Sequence, residues 1–449
     1  MTLNECLLDA DRTPMIHIKT DPVSSNKTWT RIAFWVRKNT ALTLAMMLAC
    51  FLTYVFLRPT SPSSDKIFQS LRGRFDPALF RLPHQDKLRP TSSFEHLEAD
   101  TFLDWSRVSN ASTKVKGAFV VVAREEELYR LRATMLDVES HFNNRYSYPW
   151  VIIGPTLFSR HFRELITHTT NSPVSFGLAP SIEWQEPYWI DIRKAEDASK
   201  EMSRKDLSKG ESMYWRRMTR YNMGFLAFHP LLKDLEFYWK VQPGSNYHCD
   251  IQHDPFERMK REKKKFSFAL TMTENHEFVR GLDETVKEFI IHHKNMLQPV
   301  SKSIYKALLH KSDKKPDESN PLGEYAGYFS NCMIYNNFMI TSLDFLRSEE
   351  YNAFFDALDR AGGFFYQRWG DSLPQSIAVS LFLQAKDISY DDLNGYAHDS
   401  GAICPSNLKT FVDSKCTCNP YEYRGKIKII LYRKYINLLF IYYSGPNGA

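Results

Sequence analysis

Neither G-x-G-x-x-G nor a Walker P-loop pattern occurs in the 449 residues. The first seats a pyrophosphate on a helix N-terminus, and the second wraps nucleotide phosphates in backbone amides. Their absence excludes a dinucleotide-binding Rossmann site and a P-loop. Charge of one sign is not in marked excess: 58 basic residues face 52 acidic ones, for a net charge of +6. The basic residues are interleaved with acids, as in Glu257-Arg258-Met259-Lys260-Arg261-Glu262, so they read as solvated faces and no nucleic-acid partner is expected. No small-x-small cleavage site follows the one long apolar run, and 38 residues precede that run. That stretch is too long for the n-region of a signal peptide.

What is present begins with that run. Asn39 to Leu57, NTALTLAMMLACFLTYVFL, carries no charge. As a helix it would span about 28 Å, close to one hydrocarbon core. Arg31, Arg37 and Lys38 precede it and Arg58 and Lys66 follow, a bias that favours a cytosolic N-terminus. The expected organisation is a cytosolic tail over 1–38, a single anchor over 39–57 and a stem over 58–115. A lumenal body over 116–425 and a divergent tail over 426–449 follow. Five of the seven cysteines and the sequon Asn110-Ala111-Ser112 lie past the anchor. Both suit an oxidising lumen, with one or two disulfides and an odd thiol.

The body alternates strand and helix. GAFVVVAR (117–124) is an apolar, β-branched strand ending in a charge. The helix that follows places Leu128, Leu131, Met135, Val138 and Phe142 on one face, and YPWVIIG (148–154) is the next strand. LEFYWKV (235–241) and KFSFALTM (265–272) read as two more strands. EYNAFFDALDRAGGFF reads as a helix stopped at Gly362-Gly363. SIAVSLFL is open between helix and strand. The pattern predicts an α/β fold with a central sheet flanked by helices.

Four stretches carry candidate chemistry. In EFYWKVQPGSNYHCD (236–250) a buried strand runs into Gln242-Pro243-Gly244. α/β enzymes often place a carboxylate at such a strand end; here the residue is a neutral amide. In DRAGGFFYQRWGDSLPQ (359–375) aromatic residues crowd Trp369-Gly370-Asp371. Rings that stack on pyranose faces beside an acid that binds a hydroxyl would suit a sugar site, and a core loop with a capping Asp fits equally. In NGYAHDSGAICP (394–405) His398 sits in a glycine-containing loop beside Asp399, with Asp391-Asp392 upstream as cation ligands or turn caps. In RYNMGFLAFHPLL (220–232) Tyr221 and His229 read first as core packing.

Taken in order, these stretches resemble the fungal Golgi family of glycolipid 2-alpha-mannosyltransferases, glycosyltransferase family 15. KGAFVVVAREEEL, FNNRYSYPWVII, FGLAPSIEWQEPYWID and CMIYNNFMITSLDFLRSEEYNAFF belong to the same ordered set, which covers about residues 116–420. The resemblance implies a GT-A-like nucleotide-sugar transferase domain with a mixed sheet, preceded by one transmembrane helix. It implies a GDP-mannose donor, Mn²⁺, and transfer with retention to a mannose hydroxyl of a glycoprotein glycan at the Golgi membrane. It assigns metal binding to His398 and to the position of Gln242, where the family reads Glu-Pro. Asp371 matches the acid near the acceptor, Arg124 a nucleotide-binding position, and Tyr221, Trp369 and Gly370 substrate-groove positions. Met339 stands where the family's Asn-Phe-Glu has its glutamate, the proposed nucleophile or stabiliser, and methionine can do neither job. The two substitutions leave two other roles open: a binding or assembly subunit, or a transferase of mannosyl phosphate.

Overall fold

A computed structural model describes residues 95–108, 114–310, 319–391, 394–399 and 401–420. The expected anchor (39–57), the tail before it, the sequon and the tail 426–449 lie outside the described residues. Among the described residues, no helix is long and apolar enough to cross a membrane.

The body opens with β1 (Gly117–Val122), α1 (Leu128–Val138), β2 (Trp150–Gly154), α2 (Arg160–Thr167) and β3 (Val174–Leu178). Helices α3 (Ile192–Arg204) and α4 (Met213–Gly224) lead to β4 (Phe237–Lys240) and the short β5 (Asn246–Tyr247). Then come α5 (Pro255–Arg261), β6 (Phe266–Phe268), β7 (Leu270–Thr273), α6 (Leu282–His292), β8 (Cys332–Tyr335) and β9 (Ile340–Ser342). The last elements are α7 (Glu349–Ala361), α8 (Ser372–Phe382), β10 (Ile388–Tyr390), β11 (Tyr396–His398) and β12 (Gly401–Ile403).

Seven strands form the central sheet in the order β10-β6-β9-β4-β1-β2-β3. β1 to β4 are parallel to one another, and β9 is antiparallel to both β4 and β6. The sheet is therefore mixed, as expected. β1 is buried along its whole length. Ala118, Val120 and Val122 join one core, while Phe119, Val121 and Ala123 join the other. That two-sided burial explains its unbroken apolar run, since a strand covered on both faces needs no polar alternation. One core is aromatic: Phe119 stacks on Trp150 with centroids 4.5 Å apart and lies 5.3 Å from Trp239.

The stretch read as one strand over 265–272 divides. β6 stays in the central sheet, whereas β7 pairs with β8 in a two-stranded sheet. SIAVSLFL is helical, within α8. α7 ends as predicted, on Gly362 at φ +74, a left-handed position that glycine fills without strain. Residues counted with the stem already contact the body: Asp100 accepts the Phe176 N–H at 2.6 Å, and Arg160 N–H donates to Glu95 O at 2.7 Å. Disulfides link Cys249 to Cys416 and Cys404 to Cys418. Cys332 is also disulfide-bonded, so it is not the odd thiol that the count suggested.

Candidate active site

β1 and β4 are parallel neighbours, and Arg124 and Gln242 lie just past their carboxyl ends. Such ends open onto the crevice where α/β sheets bind ligands. Along β4 the side chains alternate. Phe237 and Trp239 enter the aromatic core, and Tyr238 faces the other side. Lys240 follows the same alternation onto Tyr238's side. It is buried, and its Nζ lies 2.5 Å from Asp371 Oδ2 and 3.0 Å from Asn336 Oδ1. Asn222 of α4 donates to the same carboxylate oxygen at 3.3 Å. The Ser372 hydroxyl donates to Asn336 Oδ1 at 2.8 Å, and Asn336 Nδ2 donates to Gln375 Oε1 at 3.0 Å. A buried ammonium demands such partners. Gly370 delivers Asp371 to this network: its φ is +73, and a Cβ there would meet the Trp215 ring at 2.8 Å.

Met339 lies directly opposite Lys240. The register pairs Trp239 with Ile340, and Lys240 N–H donates to Met339 O at 2.9 Å. Met339 is 1% exposed and belongs to the apolar core on Lys240's side of the sheet. The position at which the resemblance places a reacting carboxylate is thus filled by a packed thioether.

Gln242 begins a tight turn. Its carbonyl accepts the Ser245 N–H at 3.1 Å and the Ser245 hydroxyl at 2.7 Å. Gly244 sits at φ +92, where a Cβ would collide with Arg130 Nη2. Gly244→Ala is expected to cost about 1–2 kcal/mol in urea denaturation, mostly from forcing an L-residue into left-handed backbone. β5 continues the turn and pairs with β11. That pairing carries His398 over the turn, its ring within reach of the Pro243 carbonyl. His398 Nδ1 lies 2.6 Å from the Tyr335 hydroxyl. Burial lowers the His398 pKa, and the Asp399 carboxylate opposes that shift. The structure thus brings the two expected metal positions to one turn.

These donors suit Mn²⁺ poorly. A hard dication prefers several carboxylate or other oxygen ligands. Here stand one imidazole and one amide. A neighbouring carboxylate, Asp399, has Oδ2 3.9 Å from His398 Nε2. It is engaged with Arg130 at 3.3 Å and Lys209 at 3.4 Å. Among the described residues, no group of three His, Cys, Asp or Glu side chains is placed to hold an ion. Gln242→Glu would restore one formal charge. It is expected to tighten Mn²⁺ binding about 10–100-fold, as a charge-assisted contact is regained; paramagnetic titration of Mn²⁺ measures it.

The remaining expected positions differ in character. Arg124 stacks on Tyr214 of α4 with its guanidinium 4.1 Å from the ring centroid, and its side chain remains 43% exposed, so it is accessible to a ligand. Tyr221 is fully buried 5.6 Å from Trp184, and its hydroxyl has no protein partner. Trp369 is 2% exposed, packed against Gly363, and donates Nε1–H to Arg280 O at 2.9 Å. Neither ring forms an open platform for a sugar, because α4 and the α7–α8 connection bury both. Lys240, Asn222, Arg130 and Lys209 were not singled out from the sequence. A lone lysine inside FYWKV was the one available clue, since a charge in a buried strand must have a partner.

The model of the glycolipid 2-alpha-mannosyltransferase family matches residues 86–436. Glycolipid 2-alpha-mannosyltransferase 2 of Candida albicans is 36% identical over 315 residues. The match covers 70% of this chain and 65% of that protein, less than two thirds of the relative's length. The probable mannosyltransferase KTR3 of Saccharomyces cerevisiae is 37% identical over 307 residues, 68% of this chain and 72% of that one. Among solved structures, core-mannan synthase A of Aspergillus fumigatus, in its Mn/GDP form, superposes with a TM-score of 0.63 at 28% identity. That superposition covers 77% of this chain and 88% of the other. The mannosyltransferase Ktr4p of S. cerevisiae in complex with GDP gives 0.63 at 25% identity, over 83% and 92%. The ordered motifs, the mixed sheet and these matches agree: the chain belongs to the glycolipid 2-alpha-mannosyltransferase family, glycosyltransferase family 15.

Proposed function

We propose that this chain transfers an α-mannosyl unit from GDP-mannose to a hydroxyl of mannose on glycoprotein glycans, with retention and in α-1,2 linkage. The reading includes a GT-A-type domain on the lumenal side of the Golgi membrane, anchored through residues 39–57. The observation that carries it is the Lys240–Asp371 pair at the carboxyl end of β4. Asp371 is the acid that the resemblance places near the acceptor. Lys240 Nζ holds its Oδ2 at 2.5 Å, and a carboxylate so positioned can accept a hydrogen bond from an acceptor hydroxyl as it attacks. The mannosyltransferase names of the relatives and the GDP-bound neighbours support the donor. With Met339 buried in apolar surroundings, no step is assigned to that position. Transfer would then proceed without a covalent intermediate there.

Met339 also favours a second reading, transfer of mannosyl phosphate, because attack at phosphorus needs no carboxylate beneath the anomeric carbon. One experiment separates the readings: the full chain in detergent with GDP-mannose and a methyl α-mannoside. Release of GDP with a new mannobioside supports mannosyl transfer, and release of GMP supports the second reading. Nucleotide binding without turnover in either form would sink both and leave the binding-subunit role.

A further inference from the structure

We infer that Arg130 and Lys209 bind the diphosphate of the nucleotide-sugar donor, in place of a divalent metal, so that nucleotide binding by this chain does not depend on one. The inference rests on the donor proposed above. Three separate segments converge beside the Gln242 turn: Arg130 from α1, Lys209 from the connection between α3 and α4, and Asp399 just past β11. Arg130 Nη2 lies 3.3 Å from Asp399 Oδ1, and Lys209 Nζ lies 3.4 Å from Asp399 Oδ2. The same guanidinium rests over the bare Cα of Gly244, two residues past Gln242. Both cations therefore stand where His398 and the turn meet, at the position expected to face the diphosphate.

Charge and chemistry favour this assignment. A metal site needs anionic ligands to hold its dication. Gln242 supplies none, and the Asp399 carboxylate is already paired with Arg130 and Lys209. Two side-chain cations carry the same charge as one divalent ion. A guanidinium offers a planar fork that matches phosphate oxygens, and an ammonium acts as a mobile point charge. The side chains of Arg130, Lys209 and Asp399 are 56%, 47% and 43% exposed, so a ligand can reach all three. Asp399 holds a left-handed backbone at φ +43, a conformation that costs energy in a non-glycine residue. Its carboxylate bridges both cations as a diphosphate oxygen would, and an incoming diphosphate replaces it.

The test is GDP binding to the full chain in detergent by titration calorimetry, in excess EDTA and in Mn²⁺. The affinity in EDTA is expected to lie within about threefold of that in Mn²⁺. Arg130→Met with Lys209→Met should weaken GDP at least about tenfold in EDTA and leave guanosine, which lacks phosphates, unchanged. Arg130→Lys should retain part of the affinity. Asp399→Asn removes the competing carboxylate and should tighten GDP binding. The inference is overturned if GDP binds only with Mn²⁺; loss of that binding in Asp399→Asn would then mark Asp399 as a metal ligand. It is equally overturned if the double variant binds GDP as the parent does. If the folded parent binds GDP under neither condition, the donor reading itself fails.

Discussion

Asp371→Ala is expected to remove about 3–5 kcal/mol of stability together with all measurable mannosyl transfer. The size follows from burial. The side chains of Lys240 and Asp371 are 5% and 8% exposed, so solvent screens neither charge. Deleting the carboxylate leaves an ammonium in a dry network whose remaining acceptor is Asn336 Oδ1. Asn222 loses an acceptor as well. The pair itself contributes less than its deletion costs, because bringing two charges out of water offsets most of their attraction. Lys240→Met combined with Asp371→Leu should therefore regain much of the stability while remaining inactive. Urea denaturation of the parent, Lys240→Met, Asp371→Leu and the double variant gives the cycle. A single Asp371→Ala as stable as the parent would show that Lys240 reaches water or another anion. A stable, folded double variant without transfer would locate the loss of activity in the carboxylate rather than in the fold.

The same pair shows where the sequence is legible and where it is not. β1 could be read because a strand covered on both faces is apolar throughout, and α7 because Gly362 supplies the left-handed cap. These features depend on neighbours in the chain. The break between β6 and β7 was not legible, since the run 266–273 is uninterrupted in polarity and only pairing partners divide it. The Gln242 and His398 positions were found through the family motifs, and the β5–β11 pairing brings them together. Tyr221 and Trp369 show the opposite limit. An aromatic residue beside an acid has the same composition whether its ring faces a ligand or a helix, and here both rings face the core. Lys240, Arg130 and Lys209 acquire meaning only through partners at sequence separations of 131, 269 and 190. No local pattern reports contacts of that range.

Met339→Glu, which would introduce the carboxylate that the resemblance implies at this position, is expected to destabilise this chain by about 2–4 kcal/mol at neutral pH. Position 339 is directly across the ladder from Lys240; opposite residues of an antiparallel pair have Cβ atoms about 4.5–5.5 Å apart. A glutamate there enters an apolar setting beside the Asp371 carboxylate. Lys240 has three N–H donors, and Asp371 and Asn336 already occupy two. The third can reach the newcomer, but one positive charge cannot neutralise two negative ones in a dry site. Desolvation and like-charge repulsion both raise the new group's folded pKa above its unfolded value of about 4.3. The sign follows. Below about pH 4 both states are protonated, and the ionisation penalty is absent. As pH rises through the unfolded pKa, the unfolded chain sheds its proton first, so stability falls until the folded pKa is passed and is level above it. Met339→Gln, polar but never charged, isolates this component. The two variants should match near pH 4 and diverge by about 2 kcal/mol or more at pH 8. Equal stability of the two at pH 8 would mean that the introduced carboxylate finds a counter-charge, and the argument for Met339 would fail. The expected divergence instead identifies methionine as the residue that suits a site whose one buried cation is already matched by Asp371. It also implies that Gln242→Glu with Met339→Glu will not raise transfer above the parent's unless a further positive charge is supplied on the same face of the sheet.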